Sequence, residues 1–454
     1  MFNLSQVTLF GSRASKRAEV EQTPRSRHGF RNFLITIFAI LTFFEGFYFY
    51  LCYTNNGFVS RWRNIYVQTA LSTLSHQWLA TDLLPARVVG ETINRIDEGR
   101  KQQIDLNSSW NIPTQDQQTT KPSAIDTIIE KTQSSENETA QPDSDANLPY
   151  WVRKDREGAE AFFELFYEVD PVTMLDYLDA NPDVMDNGWA GINIDKAGLD
   201  QDGTSITTTN GDQVLAINAV DGVLLIRVKG NSWQGILAIA KDPSRVGMRW
   251  SSGIGSYGQT VKTIAEANGA ILGVSGSGFV DPNGTGNGGT LTGYAMCNGE
   301  ARGRHSLPGY KRLELRKDNR FYIVDAPTNT NDDTTDASEF TPALIVDGEV
   351  VISEYTDWNG NHPRTILGQC ANGDIMMLVA EGRGANGSLG VSVYICAKLL
   401  HEYGCVQSMN LDGGSSSIMY YNGRSITVCS NQALVDGRYL PNAWLYFPAG
   451  TELN

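Results

Sequence analysis

The chain has 454 residues, with 36 lysine and arginine residues against 51 aspartate and glutamate residues, and a net charge of −15 at pH 7. This acidic balance excludes a nucleic-acid-binding protein, because phosphate binding requires clustered lysine and arginine. Six cysteines in a chain of this length exclude a small scaffold stapled by disulfides. They show no C-x-x-C spacing, so the sequence indicates no zinc site and leaves the pairing of any disulfide open.

The first segment of the chain is basic, and an apolar segment follows it. Residues 1–32 hold six basic and two acidic residues, a charge of +4. Residues 33–53, FLITIFAILTFFEGFYFYLCY, are long enough to span a bilayer as a helix. The run is longer than the core of a signal peptide and lacks a small-residue cleavage site, so we predict a retained anchor. Because positive residues stay in the cytoplasm, we expect a single-pass cell-membrane protein with a cytoplasmic N-terminus and an extracellular C-terminal domain.

Two segments separate this anchor from the next region with a folding pattern. Residues 54–101 carry apolar residues at helical spacing, which predicts a juxtamembrane helical stalk. Residues 102–148 are rich in glutamine, threonine, serine, asparagine and proline, and they cannot bury enough apolar surface to fold. We therefore expect a disordered spacer that holds the following domain away from the membrane.

Residues 149–449 predict one folded domain. Residues 157–182 have apolar positions spaced for two short helices. Two further helical patterns, 258–270 and 388–404, each lead into an apolar strand and a glycine-rich turn. Alternating runs around them are separated by five dipeptides typical of tight hairpins: Asn210-Gly211, Asp221-Gly222, Asp347-Gly348, Asn372-Gly373 and Asn422-Gly423. The predicted fold is a β-rich α+β (mixed α/β) domain preceded by one transmembrane helix.

The stretch SMNLDGGSSSIMYY places a carboxylate beside two glycines and three hydroxyl groups. Asp412 is the first residue beyond a predicted buried strand, and Gly413 and Gly414 allow the backbone to come close to a ligand. The following amides, with the hydroxyl groups of Ser415, Ser416 and Ser417, can hold an anion or a sugar. A tight turn in which the aspartate caps its own backbone explains the same spacing equally well.

Two other turns supply cationic side chains. The segment NHPRTILG contains His362 and Arg364, and LVAEGRGANGSLG contains Glu381 and Arg383. Arginine matches a phosphate because its fork donates two parallel hydrogen bonds. Each segment taken alone is more typical of an ordinary turn with a surface ion pair.

Common cofactor and catalytic fingerprints are absent or incomplete. A G-x-G-x-x-G pattern at residues 284–289 has no helix after it and no βαβ unit around it, so it predicts no dinucleotide site. The chain has no G-x-x-x-x-G-K-[ST], H-E-x-x-H or G-x-S-x-G motif, which removes support for ATP hydrolysis, zinc proteolysis and α/β-hydrolase chemistry. We predict no cofactor. A divalent metal at Asp412 is compatible with its carboxylate, but no ligand spacing indicates one.

Four segments, taken in order, resemble the phosphodiester glycosidase domain family: GVSGSGFVDPNG, HPRTILG, LVAEGRGANGSLGVSVYICAKLLHEYGCVQSMNLDGGSSSIM and DGRYLPNAW. The resemblance covers roughly residues 240–449. The family includes the enzyme that uncovers mannose 6-phosphate on lysosomal proteins and bacterial proteins described as exopolysaccharide biosynthesis proteins. The resemblance implies hydrolysis of a sugar-1-phosphodiester at its glycosidic C1–O bond, which releases a free sugar and a phosphomonoester.

The resemblance also implies a role for each matched residue. Asp412 would be the general base or stabilise the oxocarbenium-like carbon, Glu381 would be a second carboxylate, and His362 a weaker acid/base candidate. Phosphate and sugar would be bound by Arg364, Arg383, Gly413, Gly414, Ser416, Ser417, Ser275 and Arg438. Four positions depart from the usual residues of the family: Ser275, Glu381, Ser415 and Ile418.

Three hypotheses for function follow. The leading one is a membrane-anchored extracellular hydrolase acting on a sugar-1-phosphodiester of the cell envelope or of an exopolysaccharide. The second is a non-catalytic binder of phosphorylated glycan that serves as a cell-surface tether or assembly partner, which suits the four departures. The third is a subunit of an export complex, for which Glu45 in the apolar run is the one hint. That carboxylate either contacts a partner helix or stays neutral near the outer interface.

Overall fold

The computed structural model describes residues 28–71, 77–112, 148–353 and 360–453. The chain divides into two compact units, Met1–Val59 and Ser60–Asn454.

In the first unit the apolar segment forms a single helix, α1 (His28–Tyr53), of 26 residues. Its residues are exposed apart from Cys52. A stretch of mean hydropathy 1.8 makes it long and apolar enough to cross a membrane. The predicted apolar helix is confirmed, whereas most of the predicted cytoplasmic arm, up to residue 27, lies outside the described residues.

The second unit contains helices and a larger number of strands. The helices that follow α1 are α2 (Gly57–Leu71, which begins in the first unit), α3 (Trp78–Thr81), α4 (Ala86–Gln102), α5 (Tyr150–Lys154), α6 (Arg156–Leu165), α7 (Pro171–Ala180), α8 (Val261–Ala267) and α9 (Val393–Glu402). The strands are β1 (Asn193–Asp195), β2 (Gln213–Asn218), β3 (Val223–Gly230), β4 (Trp233–Ala240), β5 (Val246–Trp250), β6 (Leu272–Ser275), β7 (Tyr294–Cys297), β8 (Glu300–Gly303), β9 (Lys311–Arg316), β10 (Phe321–Asp325), β11 (Thr334–Phe340), β12 (Ala343–Val346), β13 (Glu349–Val350), β14 (Arg364–Cys370), β15 (Ile375–Ala380), β16 (Cys405–Asn410), β17 (Met419–Tyr421), β18 (Arg424–Ser425) and β19 (Asn442–Tyr446).

These strands form three sheets in which the neighbouring strands run antiparallel. The largest has nine strands in the order β1-β2-β3-β4-β15-β14-β16-β12-β13. Two five-stranded sheets have the orders β10-β9-β11-β7-β8 and β18-β17-β6-β19-β5. The mixture of helices and antiparallel sheets confirms the predicted fold class.

The large sheet separates two hydrophobic cores. Successive residues of a strand point to opposite faces, so Leu224 and Ile226 of β3 join one core and Leu225 joins the other. The first core packs against α6, α7 and α9, and the second fills the space between the large sheet and the two smaller sheets. A third, smaller core packs α8 onto the sheet that contains β6 and β19. Burial of each such large apolar side chain stabilises the fold by about 1.5–3 kcal/mol.

The local turn predictions are confirmed. Asp221-Gly222 joins β2 to β3, Asn372-Gly373 joins β14 to β15, and Asn210-Gly211 closes a turn between two bridged segments. In Asp347-Gly348 and Asn422-Gly423 both residues have positive φ, as tight two-residue hairpins require. The predicted helices at 258–270 and 388–404 are α8 and α9, and Gly269 and Gly404 follow them with positive φ.

The segment after α4 is attached to the sheets. The buried Lys311 ammonium donates to the Gln103 carbonyl oxygen at 2.8 Å, and the Gln103 side chain accepts from the Ala343 amide, also at 2.8 Å. The Asp347 carboxylate accepts from the backbone amides of Ser109 and Trp110 at 2.8 and 2.9 Å. Residues 103–112 therefore do not behave as the disordered spacer predicted for them from composition, because polar groups at strand ends hold them. The rest of that predicted spacer, 113–147, lies outside the described residues.

Candidate active site

The turn after β16 brings the Asp412 backbone against the start of β14. The Gly414 amide donates to the Pro363 carbonyl oxygen at 3.0 Å, and Gly414 has a φ of +65°. A Cβ atom at Gly413 would lie 2.9 Å from the same oxygen. Both glycines are therefore required by the close approach of two backbones, which explains the Asp-Gly-Gly sequence without reference to a ligand.

Asp412 itself carries a carboxylate that is only partly satisfied. The residue is partly exposed, but its Oδ2 atom is enclosed and has no hydrogen-bond partner among the described residues. Burial raises the pKa of the Asp412 carboxyl to about 6, although the Ser416 hydroxyl and the nearby Arg438 charge act in the opposite direction. A carboxyl with this pKa can exchange a proton near neutral pH.

The Arg383 guanidinium lies beside this turn, and a second arginine, Arg364, lies on the strand that the turn contacts. Arg364, at the start of β14, donates from Nε to the Val391 carbonyl oxygen at 3.2 Å and from Nη2 to the Gly360 carbonyl oxygen at 2.7 Å. Arg383 has a φ of +57°, and its Nη2 atom is 3.2 Å from the position that a Cβ atom at Gly414 would occupy. Non-glycine residues rarely adopt this conformation without a local reason, and strained residues gather at functional sites.

The two arginines are close enough to influence each other. Burial lowers the pKa of Arg364 to about 10, and the positive charge of Arg383 acts in the same direction. Within the described ranges, neither guanidinium has a carboxylate partner in an ion pair. The two guanidinium groups therefore place positive charge close together without an ion-paired carboxylate among the described residues, an arrangement that favours an anion.

His362 is adjacent to these arginines but is held in its neutral form. It is 4% exposed, and burial together with the charges of Arg364 and Arg383 keeps its pKa well below 6.5. Its Nε2 atom has no partner in the described part of the chain. A histidine that stays neutral can accept a proton only weakly, so it is not suited to act as a general acid at neutral pH.

Glu381 is placed differently from the second catalytic carboxylate implied by the resemblance. It is 5% exposed, and its Oε1 atom accepts from the Val428 amide at 2.7 Å. Its Oε2 atom accepts from the side-chain amides of Gln234 and Asn386, each at 3.0 Å. Both oxygens are thus occupied in holding β4, the loop after β15 and the segment after β18 together.

The serine side chains of the candidate site differ in their hydrogen-bond partners. Ser275 is fully buried, and its hydroxyl bonds with that of Thr365 at 2.8 Å and donates to the Asp412 carbonyl oxygen at 3.2 Å. Ser416 is hydrogen-bonded to the Asp412 carboxyl. The enclosed Ser417 hydroxyl has no partner among the described residues. Ser275 and Ser416 therefore position Asp412 rather than face open space.

Arg438 lies close to Asp412 but is already paired. Its two terminal nitrogens donate to the two carboxylate oxygens of Asp281, and Nη2 also donates to the Gly286 carbonyl oxygen at 2.9 Å. The bidentate pair lowers the pKa of Asp281. Arg438 can thus stabilise charge on Asp412 at a distance, while its fork is not available for a phosphate.

Sequence reasoning did not single out Asp281, although it is the carboxylate of the quoted segment GVSGSGFVDPNG. Its partner is 157 residues away in sequence, so no local pattern could show the pair. Cys429 was also missed, and its thiol donates to the Ser415 carbonyl oxygen at 3.3 Å. All six cysteines are free thiols. Within the described residues no group of three or more histidine, cysteine or acidic side chains is arranged to hold a metal ion.

Comparison with known proteins gives one family and several relatives. Residues 268–447 match the family model of phosphodiester glycosidase. The SPbeta prophage-derived uncharacterized protein YomE of Bacillus subtilis (strain 168) is 29% identical over 102 residues, and the match spans 22% of this chain and only 14% of that protein.

The comparison with solved structures gives matches at low identity. The catalytic domain of zebrafish N-acetylglucosamine-1-phosphodiester alpha-N-acetylglucosaminidase, auto-inhibited by its pro-peptide, is 17% identical with a TM-score of 0.41, covering 50% of this chain and 82% of that one. A hypothetical protein from Synechocystis is 14% identical with a TM-score of 0.35, covering 54% and 65%. A putative exported protein from Burkholderia pseudomallei K96243 is 16% identical with a TM-score of 0.36, covering 48% and 74%. The resemblance drawn from the motifs is confirmed by the family match: residues 268–447 are similar to the phosphodiester glycosidase family.

Proposed function

We propose that this protein hydrolyses a sugar-1-phosphodiester at its glycosidic C1–O bond. One observation carries the proposal. Arg383 lies at the turn that presents Asp412, whose carboxyl has a pKa raised to about 6, and Arg364 lies at the start of the neighbouring strand; neither guanidinium forms an ion pair with a carboxylate of the described residues. A phosphodiester supplies the single negative charge that this cationic site lacks, and arginine is well matched to its oxygens.

The phosphate leaving group requires little general-acid catalysis. A phosphomonoester is stable as an anion, so the C1–O bond can break with its electron pair going to the phosphate oxygen. Arg364 and Arg383 would stabilise the charge that develops there. A water molecule supplies the oxygen that joins C1, and ionised Asp412 accepts its proton.

This assignment differs from the usual pair of carboxylates in glycosidases. Because both oxygens of Glu381 accept hydrogen bonds from the protein, we assign it to positioning the loop that carries Arg383. Asp281 is neutralised by Arg438. Asp412 then acts as the one carboxylate in the reaction, and the anionic leaving group removes the need for a second as general acid.

We further propose that α1 anchors the protein and that the domain faces the outside of the cell, where it meets cell-envelope or exopolysaccharide substrates. The apolar length of α1 and the basic residues before it support this topology. Fusions of a periplasm- or exterior-dependent reporter to each end of the full chain test it. Activity of the reporter at the N-terminus instead of the C-terminus overturns the topology.

The full-length protein in detergent is given UDP-N-acetylglucosamine and a panel of other sugar-1-phosphodiesters, and free reducing sugar is measured. We expect release by the wild type and loss of release in Asp412→Asn. Asp200→Asn, an exposed carboxylate elsewhere in the chain, serves as the matched control. Absence of release from every diester, at protein concentrations that saturate binding, contradicts the hydrolase.

A second function is favoured by the occupied carboxylate of Glu381. With one available acid instead of two, the same cationic turn suits a non-catalytic binder of phosphorylated glycan that acts as a tether. Binding of a sugar-1-phosphodiester by calorimetry, abolished in Arg383→Ala and accompanied by no release of sugar, would establish this alternative.

A further inference from the structure

The helices between the membrane anchor and the sheets are fixed to each other. The Tyr66 hydroxyl of α2 donates to the Leu79 carbonyl oxygen of α3 at 2.9 Å. Arg95 of α4 donates to the Asn64 side chain of α2 at 2.8 Å. Helix α4 continues into the segment held by Lys311, and α3, α4 and the part of α2 from Ser60 onward belong to the folded unit that contains the site.

This helical layer contacts the active-site region directly. The Asn361 amide donates to the Thr69 hydroxyl of α2 at 3.2 Å. The preceding residue, Gly360, provides the carbonyl oxygen that holds Arg364. The end of α2 is therefore next to the backbone that positions one of the two proposed phosphate-binding arginines.

The covalent chain limits how far this contact can be from the anchor, whatever the orientation of the two units. Four peptide steps from Tyr53 to Gly57 span at most about 14 Å, and the helical rise to Thr69 adds about 18 Å. Thr69 therefore lies within about 32 Å of the end of α1. Residues 113–147 add nothing to this distance, because the chain on both sides of them belongs to the same unit.

Four aromatic or apolar side chains in α2, in α3 and in the turn after α3 are exposed to solvent. They are Trp62, Tyr66, Trp78 and Leu83, with exposed fractions of 56%, 42%, 51% and 49%; we call this set the juxtamembrane aromatic surface. Tryptophan and tyrosine prefer the boundary between lipid and water. Helix α2 also carries two arginines and no acidic residue, although the whole chain has a net charge of −15. Charge and composition both match the headgroup region of a bilayer that contains anionic lipids.

We propose that the juxtamembrane aromatic surface binds the bilayer interface and holds the site beside it, so that the substrate is a lipid-linked sugar-1-phosphodiester. Hydrolysis would transfer the water oxygen to C1, release the free sugar into solution and leave the lipid phosphate in the membrane. This inference rests on the proposed function and on α1 as an anchor. It replaces the expectation of a spacer that keeps the domain away from the membrane.

Tryptophan fluorescence tests the docking independently of catalysis. The chain has nine tryptophans and α1 contains none. The full-length protein is reconstituted in vesicles of phosphatidylcholine and phosphatidylglycerol with brominated acyl chains, which quench tryptophans at the interface. We expect quenching in the wild type, its loss in Trp62→Phe/Trp78→Phe and its retention in the control Trp233→Phe. Equal quenching in wild type and double variant overturns the proposal.

Two substrates with the same chemistry test the substrate class. N-acetylglucosamine-1-phosphate is esterified either to a hexadecyl alcohol in vesicles or to methanol in solution. We expect Trp62→Ser/Trp78→Ser/Leu83→Ser to lower turnover of the hexadecyl ester by about tenfold or more, through lost local concentration, with the methyl ester unchanged. The control variant Val220→Ser/Leu307→Ser changes exposed apolar residues elsewhere and should leave both rates unchanged.

The outcomes separate the two proposals. If the wild type cleaves the methyl ester but prefers it over the hexadecyl ester, or if the triple variant lowers both rates equally, the lipid-linked substrate is overturned while the hydrolase stands. If neither ester is cleaved, the proposed function and the substrate class both fail, and the fluorescence result alone decides whether the surface binds a bilayer.

Discussion

Two regions of the folded unit hold clustered arginines, and they differ in whether carboxylates form ion pairs with those arginines. In β9, the fully buried Arg312 donates to Glu314 at 2.8 Å and to the Ala326 carbonyl oxygen at 2.7 Å, and the other Glu314 oxygen accepts from Arg316. At the candidate site, Arg364 and Arg383 have no such carboxylate among the described residues. Internal neutralisation is typical of a structural cluster, and the lack of it at Arg364 and Arg383 supports the proposed anion site.

The largest effect is expected at the carboxylate that the cationic turn presents. Asp412→Asn keeps the shape of the side chain but removes its charge, so we expect kcat to fall by about 10³-fold. Stopped assays of sugar release against the Asp200→Asn control measure the loss. Retention of more than a tenth of the wild-type rate would remove Asp412 from the chemistry.

Breaking the buried cluster of Arg312, Glu314 and Arg316 should lower the free energy of unfolding. Arg312→Ala removes the arginine that bonds one oxygen of buried Glu314, while Arg316 still bonds the other, and breaking a buried pair in this way costs about 3–5 kcal/mol. Urea unfolding of the variant beside Arg304→Ala, an exposed arginine in the neighbouring loop, measures the difference. A change below about 1 kcal/mol, the range of surface ion pairs, would show that this cluster is not different from the surface.

Replacing Arg383 should lower activity and leave stability nearly unchanged. Arg383→Ala removes no ion pair with a carboxylate of the described residues, so the midpoint of unfolding should stay near the wild-type value. The loss of phosphate contacts should lower kcat/KM by about 10²-fold. Calorimetric binding and thermal unfolding of the same preparation separate these quantities. Destabilisation with unchanged kcat/KM would show that Arg383 is a structural residue and does not bind the phosphate.

The pH profile should report the carboxyl of Asp412. Burial raises its pKa to about 6, so the carboxylate is present above this pH and is lost as the pH falls through it. We expect kcat/KM to fall about tenfold for each pH unit below 6 and to be level above it. A profile that is flat between pH 5 and 7 is incompatible with Asp412 as the base.

The smallest effect is expected at Glu381. Glu381→Gln keeps one acceptor oxygen but places an amide donor beside the Val428 amide or the two side-chain amides. We expect a loss of about 1–3 kcal/mol in unfolding free energy and a fall in kcat of less than about tenfold. A loss of kcat as large as that of Asp412→Asn, with stability unchanged, would return Glu381 to the role of second catalytic carboxylate.

Local features of the fold could be predicted because they depend on a few neighbouring residues. Each Asn-Gly or Asp-Gly dipeptide singled out as a turn occurs at one, since glycine tolerates positive φ. The helices α8 and α9 follow from apolar spacing and a terminal glycine. The order of the nine-stranded sheet could not be predicted, because β15 pairs with β4 and β16 with β12 across long stretches of chain.

The site was predictable only in its residue types. Asp412, Arg364 and Arg383 could be chosen from motifs that place charge beside glycine or proline. Two features of the site depend on partners far away in sequence. Asp281 neutralises Arg438, and Glu381 holds three segments together. Composition was also insufficient for residues 103–112, whose hydrogen bonds are made with strand ends.

The sequence by itself determined the apolar helix, the hairpin turns and the resemblance to the phosphodiester glycosidase family, since these follow from hydrophobic length, backbone sterics and ordered motifs. Only the tertiary structure decided which charged groups are neutralised and which are left to meet a ligand. The physical reason is that desolvation and ion pairing act between side chains brought together by folding, so the same arginine or carboxylate is structural or reactive according to its neighbours.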